Sequence, residues 1–246
     1  MNEYVKKLRS DGICITDMQL NQEELVNCKD TFDRLIETPE NYSVNNPNFT
    51  LLRHPLSYDC FAQVAINDKI LDIVSTFFEG RGFFLGTSNL RRSKLTPHSE
   101  TTTTIYHRDA NLGKTETRGN FLKLFLYLTD VDDDSGPFTY IQKSHLDYKE
   151  NPNHAENLYR VPDNIAYAYY NEGDVIRCCS KSGSIIFADT TGLHKGIKVK
   201  RRHRDMLTIN YCTTKEPNTE KFQVSSSFVD GLSDEKQKLF QYLSRV

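Results

Sequence analysis

The stretch FLKLFLYLTDVDDDSGPFTYIQKSH, residues 121–145, opens with an apolar run and stops at Leu128-Thr129-Asp130. An acidic segment, Asp132 to Ser135, then meets Gly136-Pro137, a strong turn signal. A second apolar run, Phe-Thr-Tyr-Ile at 138–141, ends in Lys143-Ser144-His145. Two short β-prone runs with turn chemistry between them read as neighbouring strands of an all-β core. Further strand-like runs stand at 83–90, 101–107, 174–179, 184–188 and 204–213, again separated by turn-rich segments. Before residue 80 the character differs. Residues 12–16 read as a strand, and Asn21 caps an amphipathic helix over 22–37, with Leu25, Cys28, Phe32, Leu35 and Ile36 at helical spacing. Residues 38–56 read as loop. Residues 58–78 carry a helical pattern that breaks in two at Asn67-Asp68. Helices first and strands afterwards predict a mainly β fold, a sandwich or barrel with helices packed outside. With no repeat and no linker, the chain reads as one domain over 1–246. Its parts are a helical N-terminal portion (1–80), a β core (81–215) and a C-terminal extension (216–246).

The bulk numbers exclude several classes. A net charge of -2 gives no general field for nucleic acid or anionic membrane. No apolar run reaches membrane-spanning length, and the charged first ten residues lack the apolar stretch of a signal peptide. The six cysteines show no CxxC spacing, which predicts reduced thiols in a cytoplasmic protein.

His107-Arg108-Asp109 follows directly on a β-prone run. Residues at i and i+2 on a strand point to the same side, so His107 and Asp109 are placed to share one metal ion. A second histidine from a distant strand, His194, would complete a two-histidine, one-carboxylate set with open positions, the arrangement of non-haem Fe(II) oxygenases. Arg204 leads the last alternating run and shares a face with Met206 and Thr208. An arginine beside such a site is suited to hold a dicarboxylate bidentately. The tripeptide also imitates a kinase catalytic loop, but that loop needs Asn five residues after its Asp, where this chain has Lys114.

Together these features resemble the phytanoyl-CoA dioxygenase family of Fe(II)/2-oxoglutarate-dependent oxygenases. The segments that carry the resemblance are Asp11 to Ile36, the 121–145 stretch, Gly183-Ser184 with His194-Lys195-Gly196, and Arg204 with Thr208. The chain departs from the family pattern in having no Trp, with Tyr106 and Phe125 at the expected places. Lys143 stands where Gly is usual before Ser-His, and Arg108 stands where Gln is common. The resemblance implies a double-stranded β-helix (jelly-roll, cupin-like) core, Fe(II) held by His107, Asp109 and His194, and 2-oxoglutarate held by Arg204 and Thr208. It also implies O2 as oxidant, release of succinate and CO2, and hydroxylation of an unactivated C–H bond as the usual outcome, with desaturation, epimerisation and cyclisation open to the same site. Asp109 argues against the halogenase variants, which keep a small residue there.

Two other readings of the same residues remain at this stage: a ligand-binding jelly roll without turnover, and a zinc-dependent hydrolase or isomerase. Tyr106, Arg108, Lys123 and Phe125 are the candidates for substrate contact. The cations Arg91, Arg92, Lys94, Arg108, Lys123 and Lys195 suggest a small polar or anionic substrate. Strand alternation sends Arg108 to the face opposite the metal ligands, towards an acidic partner outside the barrel. His98, His145 and His154 read as surface loop residues, Asp130 to Asp134 as a solvated turn, and Tyr167 to Tyr170 as an aromatic edge.

Overall fold

In the computed structural model the described residues are 2–52, 54–95, 104–109, 120–146, 160–215 and 219–246. Helix α1 (Glu3–Asp11) starts where the Asn2 side chain accepts from the Tyr4 N–H, and ends at Gly12 in the left-handed region. Strand β1 (Ile13–Gln19) follows, then α2 (Gln22–Ile36), fixed at its start by a capping box between Asn21 and Glu24. The segment expected as loop forms a hairpin, β2 (Tyr42–Asn45) and β3 (Phe49–Leu52), whose turn is tied by Asn46 Oδ1 accepting from the N–H groups of Asn48 and Phe49. These strands are four residues long and carry no clear period; pairing with a longer neighbour makes them strands. Helices α3 (Asp59–Ala65) and α4 (Asp68–Phe77) divide at Asn67, as the sequence predicts.

The β core runs through β4 (Phe84–Ser93), β5 (Tyr106–His107), β6 (Phe121–Tyr127), β7 (Phe138–Ile141) and β8 (Arg160–Val161). Helix α5 (Asp163–Tyr169) precedes β9 (Val175–Arg177), β10 (Ser184–Ala188), β11 (His194–Gly196) and β12 (Arg204–Cys212). Of the strand expected over 101–107, residues 101–103 lie outside the described residues, 104–105 form a turn, and only 106–107 are strand, as β5.

Two antiparallel sheets result. The larger has the order β1-β10-β6-β12-β4-β3-β2 and the smaller β8-β5-β11-β7-β9, giving the jelly-roll arrangement with helices outside. The central strands of the large sheet, β10, β6 and β12, are buried on both faces, with Lys123 alone half-buried. Leu122, Leu124 and Leu126 of β6 and Leu207, Ile209 and Tyr211 of β12 pack towards the helices, among Val5, Phe32, Phe61 and Ile70. The alternate residues Phe125, Tyr127 and Met206 pack between the sheets with Phe138 and Tyr140. A one-residue slip of β12 would therefore exchange Arg204, Met206 and Thr208 for Asp205, Leu207 and Ile209 at the site.

The C-terminal segment is a structural part of this core. Its strands β13 (Gln223–Val224) and β14 (Ser244–Arg245) pair in parallel around α6 (Ser226–Asp230) and α7 (Asp234–Lys238). Val224, Val229, Leu239, Phe240 and Leu243 belong to the same apolar cluster as the N-terminal helices. Among the described residues no helix is long and apolar enough to cross a membrane.

Candidate metal centre

His107 and His194 pair in register across β5 and β11. Their ring centroids lie 4.4 Å apart. Asp109 sits just past β5, and its N–H donates to the Thr190 carbonyl at 2.9 Å, tying it to the loop that precedes His194. One ligand atom from each of His107, Asp109 and His194 lies within 4.8 Å of the others. Among the described residues this is the group of acidic, His and Cys side chains able to hold a metal ion.

The donor atoms are prepared for a metal. His107 Nδ1 is 3.0 Å from the Ile105 carbonyl, and His194 Nδ1 is 3.0 Å from the Gly192 carbonyl. A carbonyl only accepts, so each Nδ1 carries the proton and each Nε2 keeps its lone pair. Burial, followed by the neighbouring His194, pushes the pKa of His107 down to about 3, so its ring is neutral at ordinary pH. Burial works to raise the Asp109 carboxyl, but Lys123, His194 and His107 outweigh it and hold the group well below the usual carboxylate range. Lys123 Nζ lies 2.5 Å from Asp109 Oδ2 and answers part of its charge. Two imidazole rings anchored through Nδ1 and one ionised carboxylate match the donor set of a non-haem iron site.

The loop carrying His194 is fastened from behind. Ser144 Oγ donates to the Ile141 carbonyl at 2.6 Å and accepts from the Leu193 N–H at 2.7 Å. Gly192 has no room for a side chain, since a Cβ there would come within 1.9 Å of the Tyr140 hydroxyl. Arg108 does turn away from the metal ligands, as alternation requires, and its partners among the described residues are two backbone carbonyls and a tyrosine hydroxyl. It is buried, and its Nη1 donates to the carbonyls of Ser144 and Thr191, both at 2.6 Å, with Nη2 reaching the Tyr170 hydroxyl at 3.1 Å. Arg108 is thus a clamp on the His194 loop and does not line the cavity, which corrects its candidacy for substrate contact. Tyr106 is corrected on the same ground: it is fully buried against Tyr167, with the Lys195 ammonium 4.3 Å from its ring centroid. His145 is also buried, its Nε2 3.2 Å from the Arg9 carbonyl, and is no surface residue. His98 and His154 lie outside the described residues.

A cavity of about 350 Å³ opens between the sheets in front of the histidines. Lys123 and Phe125 line it as expected, with Phe138, Met206 and Thr208. Arg204 enters from β12 and is buried. Its Nη1 donates to the Gly136 carbonyl and its Nη2 to Ser93 Oγ at 3.3 Å, while its Nε has no hydrogen-bond partner among the described residues. The cations just before it behave differently: Arg201 and Arg202 are exposed and pair with Asp134 and Asp132 of the acidic turn. The sequence did not mark the hairpin wall of the cavity, Asn48, Phe49 and Leu51, or Arg91 as an inward-facing residue distinct from Arg92. The alternation of β4 carried the signal for Arg91, since Arg91 and Arg92 necessarily face opposite ways.

The model of the family described as phytanoyl-CoA dioxygenase matches residues 8–200. The chain belongs to that family. Family membership and the donor set together bring the expected iron, 2-oxoglutarate and dioxygen, and the protein is an oxygenase-like enzyme of the Fe/2-oxoglutarate-dependent kind. No curated protein matches by sequence. Solved structures share the fold at low identity. The non-heme alpha ketoglutarate dependent carbocyclase SnoK from nogalamycin biosynthesis aligns with a TM-score of 0.68 at 16% identity, over 86% of this chain and 84% of its own. The epimerase SnoN from the same biosynthesis aligns at 0.64 and 17%, over 85% and 80%. HygX from Streptomyces hygroscopicus, solved with nickel, 2-oxoglutarate and hygromycin B, aligns at 0.62 and 16%, over 86% and 87%.

Proposed function

We propose that the protein hydroxylates an unactivated C–H bond of a small molecule, coupled to conversion of 2-oxoglutarate into succinate and CO2. One observation carries this reading: a cavity with the His107–Asp109–His194 triad at one wall and a buried arginine, Arg204, with an unsatisfied Nε, at another. A buried guanidinium with an open donor is suited to a carboxylate. His107, Asp109 and His194 would hold the iron, and Arg204 with Thr208 would hold the distal carboxylate of 2-oxoglutarate. When bound, the iron and cosubstrate supply the activated oxidant.

The chain's own residues do the rest. Lys123 fixes the orientation of the Asp109 carboxylate, and the two backbone carbonyls fix the imidazole tautomers. Phe125, Phe138 and Met206 form apolar walls that exclude water around the reacting centre. The test is anaerobic loading with Fe(II), titration with 2-oxoglutarate, then exposure to O2 with succinate measured. The expected result is one iron per chain and succinate formation that needs both additions. Iron binding without 2-oxoglutarate binding would favour a ligand-binding jelly roll. Activity on hydrolysable substrates with zinc and without O2 would favour a hydrolase.

A further inference from the structure

Cys28 and Cys60 meet where α2 packs on α3, on the helical side of the large sheet. Cys28 is buried, and its Sγ lies 3.7 Å from the Cys60 carbonyl. Cys60 is half-buried. It lines a cavity of about 350 Å³, distinct from the one at the histidines, with Leu20, Val64 and Phe228 as apolar wall and Glu24 and Asp59 as acidic residues. Hydrogen bonding from the Cys28 thiol, joined by Thr31 and opposed by burial, holds the Cys60 thiol below the usual thiol range. The same bond, together with burial, pushes the Cys28 thiol up. The pair is therefore polarised: Cys60 is the sulfur that ionises, and Cys28 keeps its proton. The other cysteines differ. Cys14, Cys178 and Cys212 are buried. Cys179 is exposed, but partial burial of its sulfur, then Asp133 and Asp132, raise its thiol.

A thiolate that attacks a disulfide needs thiolate character and access. Cys60 has both, and a second thiol stands beside it to finish the exchange. We infer that Cys28 and Cys60 are a thiol–disulfide exchange pair, with Cys60 the attacking sulfur, Cys28 the resolving sulfur and a small-molecule disulfide the co-reactant. In the first step Cys60 Sγ bonds to one sulfur of the small disulfide, and the other leaves as a thiolate that takes the Cys60 proton. In the second, Cys28 Sγ bonds to Cys60 Sγ, the mixed disulfide breaks, and the Cys28 proton goes to the second departing thiolate. The two protein thiols lose two electrons and the small disulfide is reduced to two thiols. The bridge closes residues 29–59 into a loop. That loop contains the β2–β3 hairpin, whose Asn48, Phe49 and Leu51 wall the cavity at the histidines. Oxidation thus fastens, from the helical side of the sheet, the segment that shapes that cavity. The inference stands apart from the oxygenase reading.

The test treats the reduced full-length protein with cystamine under anaerobic conditions, a disulfide whose ammonium groups suit Glu24 and Asp59. Intact mass and peptide mapping follow the products. The expected result is a Cys28–Cys60 disulfide in each chain, with no cysteamine retained at either sulfur, reversed by dithiothreitol. Cys60 should react about tenfold or more faster than Cys179. Cys28→Ser should stop at a stable cysteamine adduct on Cys60, and Cys60→Ser should leave Cys28 unmodified. Circular dichroism reports that each variant is folded, and the wild-type mapping decides the pair even where a variant is not. The bridged protein should melt several degrees above the reduced form, because the closed loop constrains the unfolded chain. Cys179 reacting first, a bridge between Cys178 and Cys179 instead, or a wild type that stops at the Cys60 adduct overturns the pair. A bridged form that melts below the reduced one overturns the fastening of the hairpin segment.

Discussion

His194 stands directly opposite His107 across the β5–β11 pair, and both rings are turned by a hydrogen bond from Nδ1 to a carbonyl two residues back in their own chain. Strand pairing sets the separation and the backbone sets the tautomer. The two histidine ligands are therefore oriented by main-chain geometry.

Asp109→Ala is expected to lose bound iron and succinate formation while its far-ultraviolet circular dichroism stays that of the wild type. The carboxylate stands beside the cavity, outside the apolar clusters, so the core is untouched. Metal analysis after anaerobic reconstitution checks the first point; a variant retaining both iron and activity would remove the triad from the mechanism.

Arg204→Ala should retain iron and lose 2-oxoglutarate affinity. Removing one partner of a buried charge pair costs about 2–5 kcal/mol, equivalent to roughly thirty-fold or more in affinity. Arg201→Ala and Arg202→Ala should stay close to wild type, since those side chains are exposed and answer Asp134 and Asp132. A larger effect at either of them would mean that the cosubstrate does not enter along β12.

Stability of the metal-free protein should fall as the pH is lowered. The folded-state pKa of His107 lies at about 3, against 6.5 for an ordinary histidine. The unfolded chain therefore takes up a proton first, and stability present above the unfolded value is lost between about pH 6.5 and about pH 3. From pH 7 to pH 5 this one group accounts for about 2 kcal/mol. Urea unfolding of wild type and His107→Leu at the two pH values checks it: the variant should show the smaller drop.

Lys143→Gly is expected to stabilise the protein. Lys143 has φ +64°, in the left-handed region where a Cβ costs about 1–2 kcal/mol, and glycine's added freedom in the unfolded chain gives back about 0.4–1. The net gain of about 1 kcal/mol would raise Tm by about 2–4 °C. An unchanged or lower Tm would show that the Lys143 side chain contributes more than its backbone conformation costs.

Arg108→Gln should be destabilising, although it looks harmless on alternation alone. The shorter amide strands the Ser144 and Thr191 carbonyls, at about 1–3 kcal/mol for each buried acceptor left unmet. Because these carbonyls flank the His194 loop, iron affinity should fall as well. Loss of substrate affinity with iron affinity and Tm unchanged would instead restore Arg108 to the substrate site.

The sequence by itself determined most of the order of helices and strands, the alternation of β12 that turns Arg204 and Thr208 to the cavity, and the grouping of His107, Asp109 and His194. These are properties of local period and of residue types with few other uses, so they survive without coordinates. Only the tertiary structure decided the rest. The 42–52 hairpin is made by pairing with β4, not by its own weak pattern. The C-terminal segment is drawn into the core by apolar residues whose partners lie near the other end of the chain. Alternation gave the side on which Arg108 leaves its strand but not its partners, because Ser144 and Thr191 are brought to it by loops distant in sequence. Arg91 and Arg92 look alike as letters. One meets two carboxylates and the other lies over the Phe49 ring beside the cavity, and that difference depends on which elements fold against each face of β4.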